Sequence, residues 1–186
     1  MIRSVAATLA ALVVMGALAA PAHAGPISGT LSGDSILTPT SPPGVFVQNY
    51  TGEGDDTTYG SFTVSSKSTI DFTHPPDINI LHGSFLESFS QGTLFGTSSG
   101  SGTASGTGTA TFTADFVITG GTGIFAGATG DATVTGTITS TGPTTESSTA
   151  SYIGSLATIP EPSSLALLAP VAVVLFRRRR RGAMAG

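Results

Sequence analysis

The sequence predicts an all-β fold: a single antiparallel β-barrel or sandwich, flanked by an N-terminal signal peptide and a C-terminal hydrophobic sorting helix. Three observations predict it. Apolar and polar residues alternate over long stretches, which puts them on opposite faces of half-buried strands. No stretch between the two ends has a 3.6-residue apolar period long enough for a helix. Thr, Val, Ile and Phe fill the alternating runs while Gly and Pro punctuate them, as strands and turns require.

Residues 1–24 come first in the chain. Arg3 supplies one positive charge, Val5–Ala20 an apolar run, and Pro21-Ala22-His23-Ala24 a small-residue exit. This is the n-region, h-region and A-x-A pattern of a secretory signal, cut by signal peptidase after Ala24 with Ala22 and Ala24 as the recognised positions. The segment 25–159 that follows spans 135 residues, enough for one domain with its own core. Its acids are Asp34, Glu53, Asp55, Asp56, Asp71, Asp77, Glu87, Asp115, Asp131 and Glu146. Lys67 is its only base, a net of −9 against −4 for the whole chain. Such a surface repels polyanions and argues against nucleic acid as a partner. Cysteine is absent, so the exported domain has no disulfide, thiol nucleophile or thiolate metal site.

Within 25–159 the strand candidates run in order. Ile27–Leu31 and Val45–Tyr50 are short. Phe62–Phe72 sets Phe62, Val64, Ile70 and Phe72 against Thr63, Lys67 and Asp71. Ser84–Phe95 follows. Gly102–Ile118 is the longest alternation, with Ala104, Ala110, Phe112, Ala114, Phe116 and Ile118 opposed by threonines. Its glycine-rich start reads either as a curved strand or as a low-complexity linker over 96–110. Asp131–Thr141 repeats the pattern with Ala132, Val134 and Ile138 inside, and Ser151–Ile159 closes the series. Ten phenylalanines supply the apolar area that a disordered chain lacks.

Chemistry-bearing motifs are sparse. In Asp115–Asp131, DFVITGGTGIFAGATGD, the spacing Gly121-x-Gly123-x-x-Ala126 fits a dinucleotide fingerprint taken alone. That mechanism needs a helix N-terminus for the pyrophosphate, whereas the next residues, ATVTGTITST, alternate as a strand. The stretch therefore reads as a glycine-rich connection between antiparallel strands, with Gly taking positive-φ positions. His74 and His82 are the histidines of the segment after Ala24, and Pro75 and Pro76 keep them off one common strand. They read as solvent-exposed loop residues rather than as a base or a ligand pair. Glu53, Asp55 and Asp56 in TGEGDD are the candidates for an oxygen-ligand calcium site, but their spacing fits no calcium loop and a solvated acidic turn is expected. No catalytic or cofactor-binding residue stands out, and no cofactor is expected. Asn49-Tyr50-Thr51 is a glycosylation sequon.

ITGGTGIFAGATG, over about twenty residues, resembles the strand connection of the allene oxide cyclase and dirigent family of small β-barrels. The resemblance implies an antiparallel barrel with a side-chain-lined interior. It does not carry over catalytic residues, since a shared connection does not transfer an activity.

At the C-terminus, Pro160-Glu161-Pro162 precedes Leu165–Phe176, twelve uncharged residues, and then Arg177, Arg178, Arg179, Arg180 and Arg181. The prolines favour an extended segment open to a processing enzyme. With Ser163 and Ser164, residues 163–176 make a marginal membrane span, and the arginines hold the 182–186 tail in the cytoplasm. This closely resembles the PEP-CTERM sorting signal of Gram-negative and related bacteria, over residues 160–181. The resemblance implies processing by an exosortase, transient membrane anchoring, and delivery to the cell surface or beyond, often alongside exopolysaccharide and biofilm production. In a bacterium the Asn49 sequon is usually inert.

The expected function is therefore that of an exported, exosortase-processed, non-catalytic surface or matrix protein, with exopolysaccharide as its expected partner. The alternative is a small-ligand-binding or isomerase-type barrel, which requires an internal apolar cavity with convergent polar groups.

Overall fold

The computed structural model describes residues 23–106 and 108–158, with His23 described in its backbone alone. Ala22, Pro160–Pro162, the 163–176 segment, Arg177–Arg181 and the 182–186 tail lie outside the described residues.

Eight strands follow one another around a closed antiparallel barrel. They are β1 (His23–Pro39), β2 (Val45–Asp56), β3 (Gly60–Asp71), β4 (Asp77–Phe89), β5 (Gly92–Ala104), β6 (Thr109–Gly121), β7 (Thr129–Ser140) and β8 (Thr145–Thr158). Each pairs with its sequence neighbours. Closure comes from β1, which pairs with β2 over Gly29–Pro39 and with β8 over His23–Ile36. A barrel rather than a sandwich results, and closing the sheet removes every free edge.

The inward phase of the alternation makes the core. Ile27, Leu31, Phe62, Val64, Phe85, Phe89, Leu94, Ile118, Ala132, Val134, Tyr152 and Leu156 are all buried. Thr111, Thr113, Thr133, Thr135 and Thr137 face outward and are exposed. A register shift between Ile80 and Gly83 leaves both Leu81 and His82 exposed, since a bulge adds residues to one strand without a partner.

Two sequence readings need correction at the turns. Gly102–Ile118 is not one strand: β5 ends at Ala104, Ser105 N–H bonds Thr109 O at 2.8 Å, and β6 begins at Thr109. Gly106 and Gly108, both at φ +75°, supply the left-handed backbone that the reversal needs. Residues 96–104 are strand rather than linker. Ser84–Phe95 likewise divides between β4 and β5 around Ser90 and Gln91.

The two ends of the barrel differ. At the base, the β6–β7 connection folds a short 3-10 turn, Gly123–Phe125, with Gly123 and Gly127 at positive φ. It drops Phe125 into the barrel end at 0% exposure. The Phe125 ring meets Tyr59 at 4.9 Å and Phe89 at 5.0 Å between centroids, and Phe62 meets Phe89 at 4.9 Å. These edge-on and tilted aromatic contacts stopper the base. The opposite end, ringed by the β1–β2, β3–β4, β5–β6 and β7–β8 turns, has no such plug among the described residues.

Candidate ligand site in the barrel lumen

A cavity of about 360 Å³ runs from the turn-ringed mouth into the lumen, within the range of small-molecule sites. Apolar side chains from β3, β4, β6 and β7, among them Ile70, Ile78, Phe112, Phe116 and Ile138, line most of it together with Phe72 just after β3. Its sides are polar at one level. Ser35 on β1 lies opposite Tyr50 on β2 and opposite Glu146 on β8, so the barrel seam brings three inward polar side chains together. Ser35 Oγ donates to Glu146 Oε2 at 3.0 Å, and Gln48 Nε2 donates to the same oxygen at 3.1 Å. Gln48 Nε2 also reaches Ser35 Oγ at 3.3 Å.

Glu146 is 9% exposed, and among the described residues no donor sits on its Oε1. The buried Tyr50 hydroxyl has no partner at hydrogen-bonding geometry. Burial pushes its phenol pKa up, Asp34 adds to this, and nearby Ser148 moderates it. An unpaired polar atom costs free energy when it is shut away from water. The Tyr50 ring has room because Gly33 and Gly52 face it: a Cβ on either would lie 2.8 or 2.6 Å from the hydroxyl. Ser66, Ser68, Ser98 and Ser148 complete the polar part of the wall.

A second polar group lies deeper, between the cavity and the base. Tyr152 Oη donates to Asp56 Oδ2 at 2.7 Å, and Asp56 Oδ1 accepts the N–H groups of Thr58 and Tyr59 at 2.7 and 2.9 Å. Asp56 thus both ends β2 and anchors the β2–β3 turn. Glu87 on β4 keeps some surface of its own, but its carboxyl faces a void of about 20 Å³ shared with Asp56 and Tyr152, room for one water. Desolvation, and then the Asp56 charge, push the Glu87 pKa up to about 7. Burial and the Asp56 contact raise the Tyr152 pKa, so the phenol stays a donor.

The motif residues of the sequence scatter. The TGEGDD stretch is strand rather than a solvated turn. Glu53 and Asp55 point outward while Asp56 points in, and Asp55 Oδ1 accepts from Ser61 Oγ at 3.1 Å. Among the described residues no three His, Asp or Glu side chains converge to hold a metal ion. His74 and His82 are both exposed, bonded to Thr73 and Thr69 at 2.8 and 3.3 Å, and His82 lies in β4 rather than in a loop. Asn49 is exposed on β2. Gly121, Gly123 and Ala126 belong to the β6–β7 connection, and β7 follows where a dinucleotide site needs a helix. Ala24 is exposed near the start of β1. Cutting after it leaves Gly25–Pro39 to pair with both neighbours.

Sequence reasoning missed Ser35, Gln48, Tyr50, Glu146 and Glu87. Compared with family models, curated proteins and solved structures, the chain gives no match. Among the described residues no helix is long and apolar enough to cross a membrane.

Proposed function

We propose that this chain is an exported, C-terminally sorted barrel whose lumen binds a small, largely apolar molecule with one polar end. The lumenal cavity carries the reading: mostly apolar walls, an open mouth, a plugged base, and one level where Ser35, Gln48 and Glu146 meet. That composition fixes a ligand's orientation by a few polar contacts and holds it by apolar area. The role is binding rather than turnover.

Titration of the full chain in lipid nanodiscs with the neutral apolar fluorophore N-phenyl-1-naphthylamine tests the reading, with empty nanodiscs as the blank. A saturable fluorescence rise is expected, and Ala110→Phe or Ser66→Phe, each filling the cavity, abolishes it. Absence of saturable binding, or binding that survives both substitutions, sinks the proposal.

Export and sorting rest on residues 1–24 and 160–181. Signal peptidase and an exosortase act on the chain in transit, and the barrel ends at the cell surface or outside it. Replacing Arg177–Arg181 with neutral residues should mislocalise the protein; unchanged surface display refutes this part. A matrix role alongside exopolysaccharide is a second reading, supported by the exposed threonines of β6 and β7. Retention of the barrel on the producer's own polysaccharide would support it, and a pull-down without retention would remove it.

A further inference from the structure

We infer that the lumen selects a small organic cation, a primary or secondary ammonium group seated on Glu146 with its apolar body along Phe112, Phe116 and Ile138. The inference rests on the lumenal reading above and adds the sign of the ligand's charge.

Four observations carry it. Among the described residues Glu146 is the one carboxylate lining the cavity, and no Lys, Arg or His lines it. An anionic ligand would face that carboxylate without compensation, and burying like charges together is costly. The hydrogen bonds that Glu146 accepts from Ser35 and Gln48 both fall on Oε2, which leaves Oε1 for a ligand.

One step deeper, over Gly33 and Gly52, the buried Tyr50 hydroxyl has no partner at hydrogen-bonding geometry. An ammonium group offers several N–H donors and no acceptor. It therefore matches a wall that presents a free carboxylate oxygen, with the phenol oxygen one step deeper over Gly33 and Gly52. Beyond the cavity, the segment 25–159 carries −9 with Lys67 as its only base, and Asp71 and Asp77 bound the β3–β4 turn at the mouth. That field concentrates cations and repels anions on approach.

The test compares three probes that differ only in the polar end: 3-phenylpropylamine, 3-phenylpropanol and 3-phenylpropanoate. Each is titrated calorimetrically at neutral pH against the full chain in nanodiscs, with empty nanodiscs subtracted. The amine should bind at least about tenfold tighter than the alcohol, and the carboxylate weakest. Glu146→Gln should bring the amine down to the affinity that the alcohol has for the same variant. The ranking among probes needs no variant, so it decides the matter whether or not E146Q folds.

A carboxylate that binds as well as the amine overturns the inference, as does an E146Q protein that keeps the amine's advantage. Failure of all three probes while the neutral fluorophore still binds overturns the cation and spares the lumenal site. Failure of the fluorophore as well removes both.

Discussion

Glu87 shows how one inward side chain couples the barrel to pH. Its carboxyl shares a small void with Asp56 and Tyr152, and among the described residues no Lys, Arg or His lines that void to offset a charge. Its pKa is about 7 in the folded barrel against 4.5 when exposed. Folding therefore takes up a proton between those values, and the sign follows. The stabilising contribution is complete below pH about 4.5 and is lost as pH rises through about 7. A difference of this size is worth about 3 kcal/mol. Glu87→Gln keeps the shape and removes the ionisation, so it should raise stability at pH 8 by up to about 3 kcal/mol and change it little at pH 4. Urea unfolding at both values checks this. A variant whose gain is the same at pH 4 and pH 8 would show that the void does not penalise the charge. Nothing in the composition announced Glu87, because a carboxylate in an apolar phase becomes legible only when the phase is known.

At the scale of strands and turns, periodicity was the legible part. Phe62–Phe72 reads correctly as one strand, with Phe62, Val64 and Ile70 buried. The turn at 105–108 was hidden by parity. Four residues separate Ala104 from Thr109, an even number, so the inward phase resumes at Ala110 as if no turn intervened. The polar site was partly written in the same pattern. Ser66 and Ser68 sit in the phase of Val64 and Ile70, and Glu146 and Ser148 in that of Tyr152 and Leu156. Polar residues in an apolar phase mark the cavity level, but which strands lie across the lumen depends on closure, which no local run encodes. The Gly123–Phe125 turn was foreseen as a glycine-rich connection, whereas its role as the base plug was not. Phe125→Ala removes a fully buried ring and should cost about 3–5 kcal/mol. Because Phe125 does not line the mouth-side cavity, fluorophore binding should survive wherever the variant is folded. A small loss in urea midpoint, or a loss of binding by a folded variant, would mean that base and lumen are not separable.

For the molecule as a whole, closure of β1 on β8 joins the ends of the described chain, and this non-local seam contributes both core and site. Ile27 and Leu31 are buried from β1, Tyr152 and Leu156 from β8, and the Ser35–Glu146 hydrogen bond spans the same seam. Contacts so distant in sequence form against a large loop-closure entropy. The seam therefore depends on how much of β1 is present. The proposed signal cleavage after Ala24 would remove only the pairs His23 with Thr158 and Ala24 with Ala157, and Ala24 is exposed. A protein beginning at Gly25 should match one beginning at Pro21 to within about 1 kcal/mol, the worth of terminal hydrogen bonds that water replaces. Starting at Gly33 instead deletes Ile27 and Leu31. Two such core side chains are worth about 5 kcal/mol together, comparable with the whole stability of a small domain. That shortened protein should lose cooperative thermal unfolding and bind no fluorophore, because only the pairs of Gly33, Asp34, Ser35 and Ile36 with β8 remain to close the seam. Differential scanning calorimetry of the three starting points separates the outcomes. A sharp transition in the Gly33 protein would show that the other seven strands hold the barrel without the seam.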